Sequence, residues 1–371
     1  MFPKATWMQP HLPKVVDPSA RQHIIQLAAG IFERQSALVT NIAKATAFRA
    51  NTDSSNETQV RRILRDERLF LASAYYPFIR QLLPEIAPSE LYLTIDESSH
   101  LDNFGIFGVA LATDGLSIPL GWLLYESNDA RAEQARELLT TLAHYLPPTT
   151  RIIVLADRLH TSEPFLACLE ALHWEYVFRA SADTQIETSR GWKRLHALSL
   201  RSRRGRLLHQ VRIWKVGQHR TNVSCYKLPR KGHRPVIWYL VSSLPAAQER
   251  FVEYACRWWH ECGSPGLKSA LFDWERGRII EFERVEILLI GMSCALWAMW
   301  LLGRAHEHIP GHKASTTTPQ RRRKSIIQQG ISAFTNASKK QRTLSLSTPP
   351  QPRVLDYSHT FEPSPQNHVM Q

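Results

Sequence analysis

Two apolar runs in the first half of the chain each end in an aspartate. The run LYLTI at residues 91–95 leads into Asp96, and the run RIIVLA at residues 151–156 leads into Asp157. Runs of apolar and β-branched residues of this length are typical of strands that are buried on both faces of a sheet. Acids at the ends of such strands lie where α/β folds usually place their chemistry. The two runs therefore predict a buried α/β sheet with two acids at its edge.

Four residues later in the chain form a spaced signature, Y-(2)-R-(3)-E-(6)-K: Tyr254, Arg257, Glu261 and Lys268. On a helix these positions fall within a stripe about 60° wide. A carboxylate between two cations and a phenol suits phosphodiester chemistry, in which the carboxylate holds a metal ion and the cations hold phosphate oxygens. For this motif on its own, a solvated charged helix face is the alternative.

The pattern between the two acids predicts the order of the elements. Strands are expected over residues 104–113 and 117–125, joined by the turn Asp114-Gly115, which is a hairpin signal. The sequence then predicts a helix over 130–145, the strand that ends at Asp157, a helix over 163–172 and a strand over 176–179. Three antiparallel strands followed by alternating helices and strands predict a mixed α/β sheet.

On these residues the chain resembles the DDE-type insertion-sequence transposases of the branch that carries the Y-R-E-K signature. The resemblance rests on LTIDES around Asp96, IPLGW at 118–122, VLADR around Asp157 and YACRWWHECGSPGLKS at 254–269, and it continues through DWERGRI at 273–279. It covers roughly residues 90–303. It implies the fold class α/β, with a ribonuclease-H-like mixed sheet flanked by helices, a β-rich insertion and a helical N-terminal domain.

The resemblance also implies the chemistry. The expected reaction is DNA cleavage and strand transfer with two Mg²⁺ ions, or Mn²⁺ in their place. Asp96, Asp157 and Glu261 would be the catalytic metal ligands, and Asp96 would be shared by both ions. The residues expected to bind phosphate are Tyr254, Arg257, Lys268 and Arg158. The expected partners are double-stranded DNA, as terminal inverted repeats and as target, and a second copy of the chain in a synaptic dimer.

The sequence predicts four regions. They are a helical N-terminal domain at 1–88 that binds DNA ends, a catalytic domain at 89–181 and 236–303, a basic β-rich insertion at 182–235, and a basic, largely disordered tail at 304–371. The tail is rich in Pro, Ser, Thr and Gln and holds ten Lys or Arg against three acids. Within the tail, the basic run 321–324 and the apolar residues that follow it predict a short amphipathic helix.

The N-terminal region is expected to contribute DNA contacts. Helical spacing predicts helices over 21–36, 37–49 and 57–70, with a polar break over 51–56. In the third helix, Arg61, Arg62 and Arg65 are expected to face outward from an apolar stripe. Recognition of terminal-repeat DNA and an ordinary solvated helix with acidic counterions both fit this pattern equally.

Charge and cysteine content agree with a DNA-binding protein of the cytoplasm. The formal net charge is +13, which favours a polyanionic partner. The five cysteines include no C-x-x-C pair and suggest reduced thiols, so a cytoplasmic, nucleoid-associated location is expected, with no secretory signal. The uncharged run at 287–303 approaches the length of a membrane span, but a buried core helix is the preferred interpretation, and no membrane partner is expected.

One segment departs from the family pattern. Between Glu261 and Lys268 the chain reads CGSPGL, and Pro265 would remove the helical hydrogen bond of the Glu261 carbonyl. The two glycines in this segment add about 1 kcal/mol each to the cost of a helix. Two other hypotheses therefore stay open beside an active transposase: a catalytically decayed relative that only binds DNA, and a stand-alone nuclease of the same fold.

Overall fold

The structure is a computed structural model, which describes residues 16–48, 52–86, 89–101, 103–126, 131–198, 200, 205–230, 233–257, 271–307 and 325–339. The chain divides into two compact units. The first holds the described parts of 1–89, 97–150 and 260–353, and the second holds those of 90–96 and 151–259.

Helices and strands alternate along much of the chain. The described helices are α1 (Pro18–Arg34), α2 (Val39–Ile42), α3 (Asp53–Ile63), α4 (Tyr76–Ile86), α5 (Arg131–Ala143), α6 (Glu163–Ala171), α7 (Glu249–Ala255), α8 (Phe282–Glu307) and α9 (Ile326–Lys339). The described strands are β1 (Glu90–His100), β2 (Phe104–Thr113), β3 (Leu116–Tyr125), β4 (Arg151–Ala156), β5 (Glu175–Arg179), β6 (Gln185–Thr188), β7 (Gly191–Arg194), β8 (Arg206–Ile213), β9 (His219–Arg230) and β10 (His233–Ser242).

The N-terminal helices differ from the sequence prediction in their bounds. The side chain of Thr52 accepts a hydrogen bond from the Ser55 N–H at 3.2 Å and so caps α3. Part of the polar stretch predicted as a break is therefore the start of a helix. This helix ends at Ile63 rather than at residue 70. The predicted second helix is reduced to the four residues of α2.

The hairpin of β2 and β3 forms in the first unit as predicted. The two strands pair antiparallel up to Thr113↔Leu116. Between them Asp114 has φ 49° and Gly115 has φ 84°. Positive φ at both central residues is the requirement of the turn that matches the twist of a two-residue hairpin, and Asp-Gly meets it at low cost.

Helix α8 forms the core of the first unit. Of the described residues, Phe282–His306 is the one helix long and apolar enough to cross a membrane, but 94% of its most apolar window is buried inside the protein. Its tryptophans are held by polar partners: Trp297 Nε1 donates to the Tyr75 hydroxyl at 3.2 Å, and Trp300 Nε1 donates to Asp114 at 3.0 Å. This packing is that of a core helix of a folded protein.

Helix α9 packs directly on α8. A β-carbon at Gly330 would lie 1.9 Å from the carbonyl oxygen of Met299, and one at Gly303 would lie 2.1 Å from that of Ile326. The two backbones therefore touch where glycines leave room. The boundary predicted between residues 303 and 304 falls inside α8. Helix α9 belongs to the predicted tail, but its Ile326 is buried, so this helix is packed against the core.

The second unit contains a large mixed sheet. Its strands lie in the order β1-β4-β5-β10-β9-β8-β6-β7. Strands β1, β4 and β5 are parallel, and each of the other neighbouring pairs is antiparallel. Helix α6 packs on β5, and α7 packs on β5 and β10. Strands β6 to β9 come from the segment predicted as a β-rich insertion. The predicted α/β fold class, a large mixed sheet flanked by helices, is confirmed.

Candidate active site

Asp96 and Asp157 occupy equivalent positions on neighbouring parallel strands. The register of β1 and β4 ends at Ile95↔Ala156, so the two aspartates directly follow the last pair. Residues in register on adjacent strands point to the same face, and the strands lie about 4.8 Å apart. The structure thus brings these two carboxyl groups to one place, where their side chains are 26% and 27% exposed.

Asp96 does not lie at the tip of its strand, contrary to the sequence prediction. Strand β1 continues to His100, whereas β4 ends at Ala156. The chain leaves the sheet after β4 because Asp157 begins a single 3-10 turn, Arg158–His160, and caps it by accepting the Leu159 N–H at 2.8 Å. Asp96 therefore marks the point where β1 stops pairing with β4, and β1 itself continues beyond it.

Arg179 is a third polar residue at this edge that sequence reasoning did not select. Ala156 pairs with Phe178, so Arg179 follows the last pair of β4 and β5 as the aspartates follow theirs. Its guanidinium carbon lies 5.8 Å from the centre of the Trp238 ring, a distance at which a cation and an indole attract. The signal in the sequence is the same as for the acids: an apolar strand, here EYVF, that ends in a charged residue.

Helix α7 and the turn that follows it place two signature residues over this edge. Tyr254 is 2% exposed and packs edge-on against Trp238, with ring centres 5.3 Å apart. Arg257 is 11% exposed, and its Nη1 lies 3.9 Å from Asp96 Oδ1. Burial raises the pKa of the Tyr254 phenol, the nearby Arg257 and Arg179 oppose that rise, and the charge of Asp157 adds to it. The phenol, both arginines and both acids therefore share one electrostatic environment.

The described part of the signature helix is shorter than predicted. Helix α7 ends at Ala255, and Arg257 lies in the turn that follows. The N–H of Arg257 donates to the Tyr254 carbonyl at 3.0 Å. Glu261 and Lys268 lie outside the described residues, as does the CGSPGL segment. Tyr254 is covered by protein, and its contact with phosphate stays a prediction, as do the roles of the other site residues.

The other end of α7 carries a second group of charges. Arg250 Nη1 lies 3.0 Å from Glu253 Oε2, and both side chains are 13% exposed. Burial raises the pKa of the Glu253 carboxyl to about 7, and the nearby Glu90 adds to that rise, whereas Arg250 and Arg151 oppose it. This group lies away from the predicted metal ligands, near Glu90 and Arg151 at the start of β1 and β4.

The arginines predicted to bind DNA near the N-terminus are exposed. Arg61 and Arg62 lie on α3, and Arg65 follows its end. Arg61 lies 3.6 Å from Glu57, one turn earlier, so part of its charge is compensated locally. All three residues belong to the first unit, and their contact with DNA stays a prediction.

The family model for the transposase DDE domain matches residues 102–298, just over half of the 371 residues. The chain belongs to the DDE transposase family. The matched range contains Asp157 and all four residues of the Y-R-E-K signature, and it begins after Asp96. Members of this family cut and join DNA and use divalent metal ions.

Other comparisons add little to the identification of this DDE transposase. A piggyBac transposase, solved as a synaptic complex with hairpin DNA, is similar over 91% of this chain and 76% of its own, with 10% identity and a TM-score of 0.41. A TM-score this low supports no further conclusion. Comparison with curated proteins gives no significant match.

The donor atoms at the edge of the sheet fit a hard divalent cation. Carboxylate oxygens are the ligands that Mg²⁺ and Mn²⁺ prefer, and Asp96 and Asp157 supply them from two rigid strands. Asp157 uses one oxygen to cap the 3-10 turn, which fixes the direction of the other. Among the described residues there is no group of three His, Cys, Asp or Glu that could hold a metal ion. Glu261, the predicted third ligand, lies outside the described residues.

Proposed function

We propose that this chain is an active transposase of the Y-R-E-K branch, which cuts DNA at the ends of its element and joins them to target DNA. The observation that supports this proposal is the pair Asp96 and Asp157, side by side after the last register pair of β1 and β4, with Arg257 3.9 Å from Asp96. Two acids with an adjacent, well-buried arginine suit a site that handles a phosphodiester and a metal ion together.

In this proposal Asp96, Asp157 and Glu261 hold Mg²⁺, or Mn²⁺ in its place. The bound metal would supply activation of the attacking oxygen and stabilisation of the leaving one. The strands fix the two aspartates before DNA arrives, so little reorganisation is needed when DNA binds. Asp157 is oriented further by the Leu159 N–H, which occupies one of its oxygens.

The cations around the acids have separate roles. Arg257 is held beside Asp96, where it would bind a non-bridging phosphate oxygen and limit the repulsion between the acids and DNA. Arg179 is fixed over Trp238 at the same edge, and Arg158 is exposed next to Asp157. Lys268 is assigned to the phosphate on its signature spacing alone. Tyr254 would support Arg257, whose guanidinium lies 6.0 Å from its ring centre.

The partners in this proposal are terminal inverted repeats and target DNA, with a second copy of the chain completing a synaptic dimer in the cytoplasm at the nucleoid. Arg61, Arg62 and Arg65 are proposed contacts to the ends. Their exposure and the net charge of +13 support this assignment.

The test uses the purified full chain, Mg²⁺ or Mn²⁺, and duplex DNA from both sides of the coding sequence. Asp96→Asn, Asp157→Asn and Glu261→Gln should each abolish cleavage and retain DNA binding, because each removes a charged ligand with little change in volume. Asparagine at 157 can still cap the turn, so folding should persist. The matched control is Asp183→Asn, since Asp183 is 67% exposed in the same unit and bonds to Arg194 instead.

Each outcome separates the hypotheses. Metal-dependent cutting followed by joining, lost in the three variants and kept in the control, supports a transposase. Binding by the wild type with no cutting supports a decayed relative, and cutting without joining supports a stand-alone nuclease. Cleavage at the wild-type rate by any one of the three variants would remove that residue from the site.

A further inference from the structure

An exposed leucine stands directly beside the candidate active site. Leu159 is 70% exposed, whereas most large apolar side chains among the described residues are buried. Single exposed leucines are common on protein surfaces and need no explanation by themselves. This one differs in its place, two residues after Asp157, and in how firmly its backbone is held.

The turn that carries Leu159 is held by contacts of three successive residues. The Leu159 N–H donates to Asp157 Oδ1 at 2.8 Å. The next residue, His160, is buried and lies 6.0 Å from the Phe165 ring. Thr161 Oγ1 then donates to the Arg179 carbonyl at 2.8 Å. A backbone anchored in this way keeps the Cα–Cβ direction of Leu159 when DNA arrives.

The position of Leu159 brings it against any DNA that reacts at this site. If Asp157 acts on the scissile phosphate, the Leu159 amide, one hydrogen bond from that carboxylate, lies within about 8 Å of the phosphate. The sugars and bases next to a phosphate lie within a similar distance. A leucine side chain at this position can therefore reach the nucleotides on either side of the cut.

The surroundings of Leu159 favour a polyanion over an apolar protein partner. Arg158, its neighbour, is exposed. The tip of the β8–β9 hairpin lies against the start of α6, four residues after Leu159, because a β-carbon at Gly217 would lie 3.9 Å from Glu163. That tip carries exposed Lys215 and the 88% exposed Val216. Apolar side chains flanked by cations are typical of wedges that enter a base step while cations hold the backbone.

We infer that Leu159 is a wedge that inserts at the base step next to the scissile phosphate and unstacks it. A leucine gains nothing from phosphate oxygens, so its favourable contact is with a base face exposed by unstacking. The opened step gives the acids better access to the phosphodiester. This inference rests on the proposed function, since it takes DNA as the ligand and the bond beside Asp157 as the one cut.

The first test detects unstacking without any cleavage. The cutting point is mapped with wild-type protein on DNA from both sides of the coding sequence, and 2-aminopurine is then placed on each side of it. Without divalent ions, binding of the wild type should raise the fluorescence several-fold as the base leaves the stack. Leu159→Ala should bind with a similar Kd and lose most of this rise, and Leu159→Phe should restore it.

The second test asks whether DNA that is already unpaired replaces the wedge. With Mg²⁺, Leu159→Ala should cut matched duplex about tenfold more slowly than the wild type, and a mismatch at the step should return its rate to within about twofold. Leu207→Ala is the matched control, because Leu207 is an exposed leucine on β8 of the same unit. It should behave as the wild type in both tests.

The failures of the two proposals can be told apart. No cutting by the wild type, with or without a mismatch, would overturn the proposed function and this inference with it. Normal cutting with an equal fluorescence rise in Leu159→Ala would overturn the wedge alone. A slow Leu159→Ala that a mismatch does not rescue would also overturn it, because the residue would then act on the fold or on binding.

Discussion

At the scale of single residues, Glu253 is a carboxyl group whose charged form is disfavoured by burial in the folded protein. Burial raises its pKa from 4.5 to about 7. A raised folded-state pKa means that its contribution to stability is full below the unfolded pKa and is lost as pH rises through about 7. The free energy of unfolding of Glu253→Gln, relative to that of the wild type, should therefore rise by an amount on the order of 1–3 kcal/mol between about pH 5 and about pH 8. Urea unfolding of both proteins across that range measures the change.

Glu249→Gln is the control for this prediction. Glu249 lies on the same helix and is exposed, and its charge adds only the last of the causes that raise the pKa of Glu253. Its variant should therefore change the pH dependence of stability in the same direction as Glu253→Gln but by much less. Parallel stability curves for Glu253→Gln and the wild type would contradict the assignment. The loss of the ion pair with Arg250 is already part of the expected slope, because the pKa of about 7 reflects the charge of Arg250 as well as burial.

The sequence identified Asp96 and Asp157 because each ends an apolar run that is typical of a buried strand. Arg179 ends a similar run and was not selected, since a basic residue at a strand end is ordinary on its own. What distinguishes it is the register of three adjacent strands, with Ile95, Ala156 and Phe178 in line. Register depends on which strands become neighbours, and a single sequence does not encode that locally.

At the scale of elements, the contact of α8 and α9 gives a prediction with a definite sign. Alanine is normally favoured over glycine in a helix by about 1 kcal/mol. At Gly330, however, the new methyl group would meet the Met299 carbonyl at 1.9 Å, and backbone cannot move aside cheaply. Gly330→Ala should therefore lower stability by about 1–3 kcal/mol through overpacking. Thermal unfolding measures it, with exposed Asn336→Ala on the same helix as the control.

A Tm for Gly330→Ala at or above the wild-type value would show that α9 does not rest on α8. The expected Tm of Asn336→Ala is unchanged or slightly raised, because alanine is the better helix former. The comparison thus isolates the contact between the helices from helix propensity.

Elements with a strong local pattern were predictable, and those that depend on packing were not. The hairpin of β2 and β3 follows from two strand-like runs that are joined by the turn signal Asp114-Gly115. The bounds of α3 did not follow, because its cap at Thr52 and its first turn are polar and resemble a loop. Helix α9 was predicted as amphipathic, but the partner of its apolar face, α8, was not identifiable from the sequence.

At the scale of the whole molecule, the positive charge is distributed among the folded core, the exposed arginines near the N-terminus and the basic run from Arg321 to Lys324. Deleting everything from Arg304 would be a poor test of the basic run. Arg304 is fully buried with its Nε 3.5 Å from Asp114, and α9 would be lost as well. Replacing the four basic residues at 321–324 with glutamine changes charge alone and leaves these contacts in place.

This replacement should weaken DNA binding most at low salt. Each cation that contacts a phosphate releases counterions, so the slope of log K against log[salt] should become shallower by up to about 0.9 for each of the four residues that touches DNA. Fluorescence anisotropy with duplex DNA from beside the coding sequence, over a series of salt concentrations, measures the slope. A matched variant with Arg61, Arg62 and Arg65 replaced by glutamine reports the N-terminal arginines in the same way. An unchanged slope in the first variant with a reduced slope in the second would assign DNA contact to α3 and its end and exclude the basic run, because counterion release counts only the cations that reach phosphate.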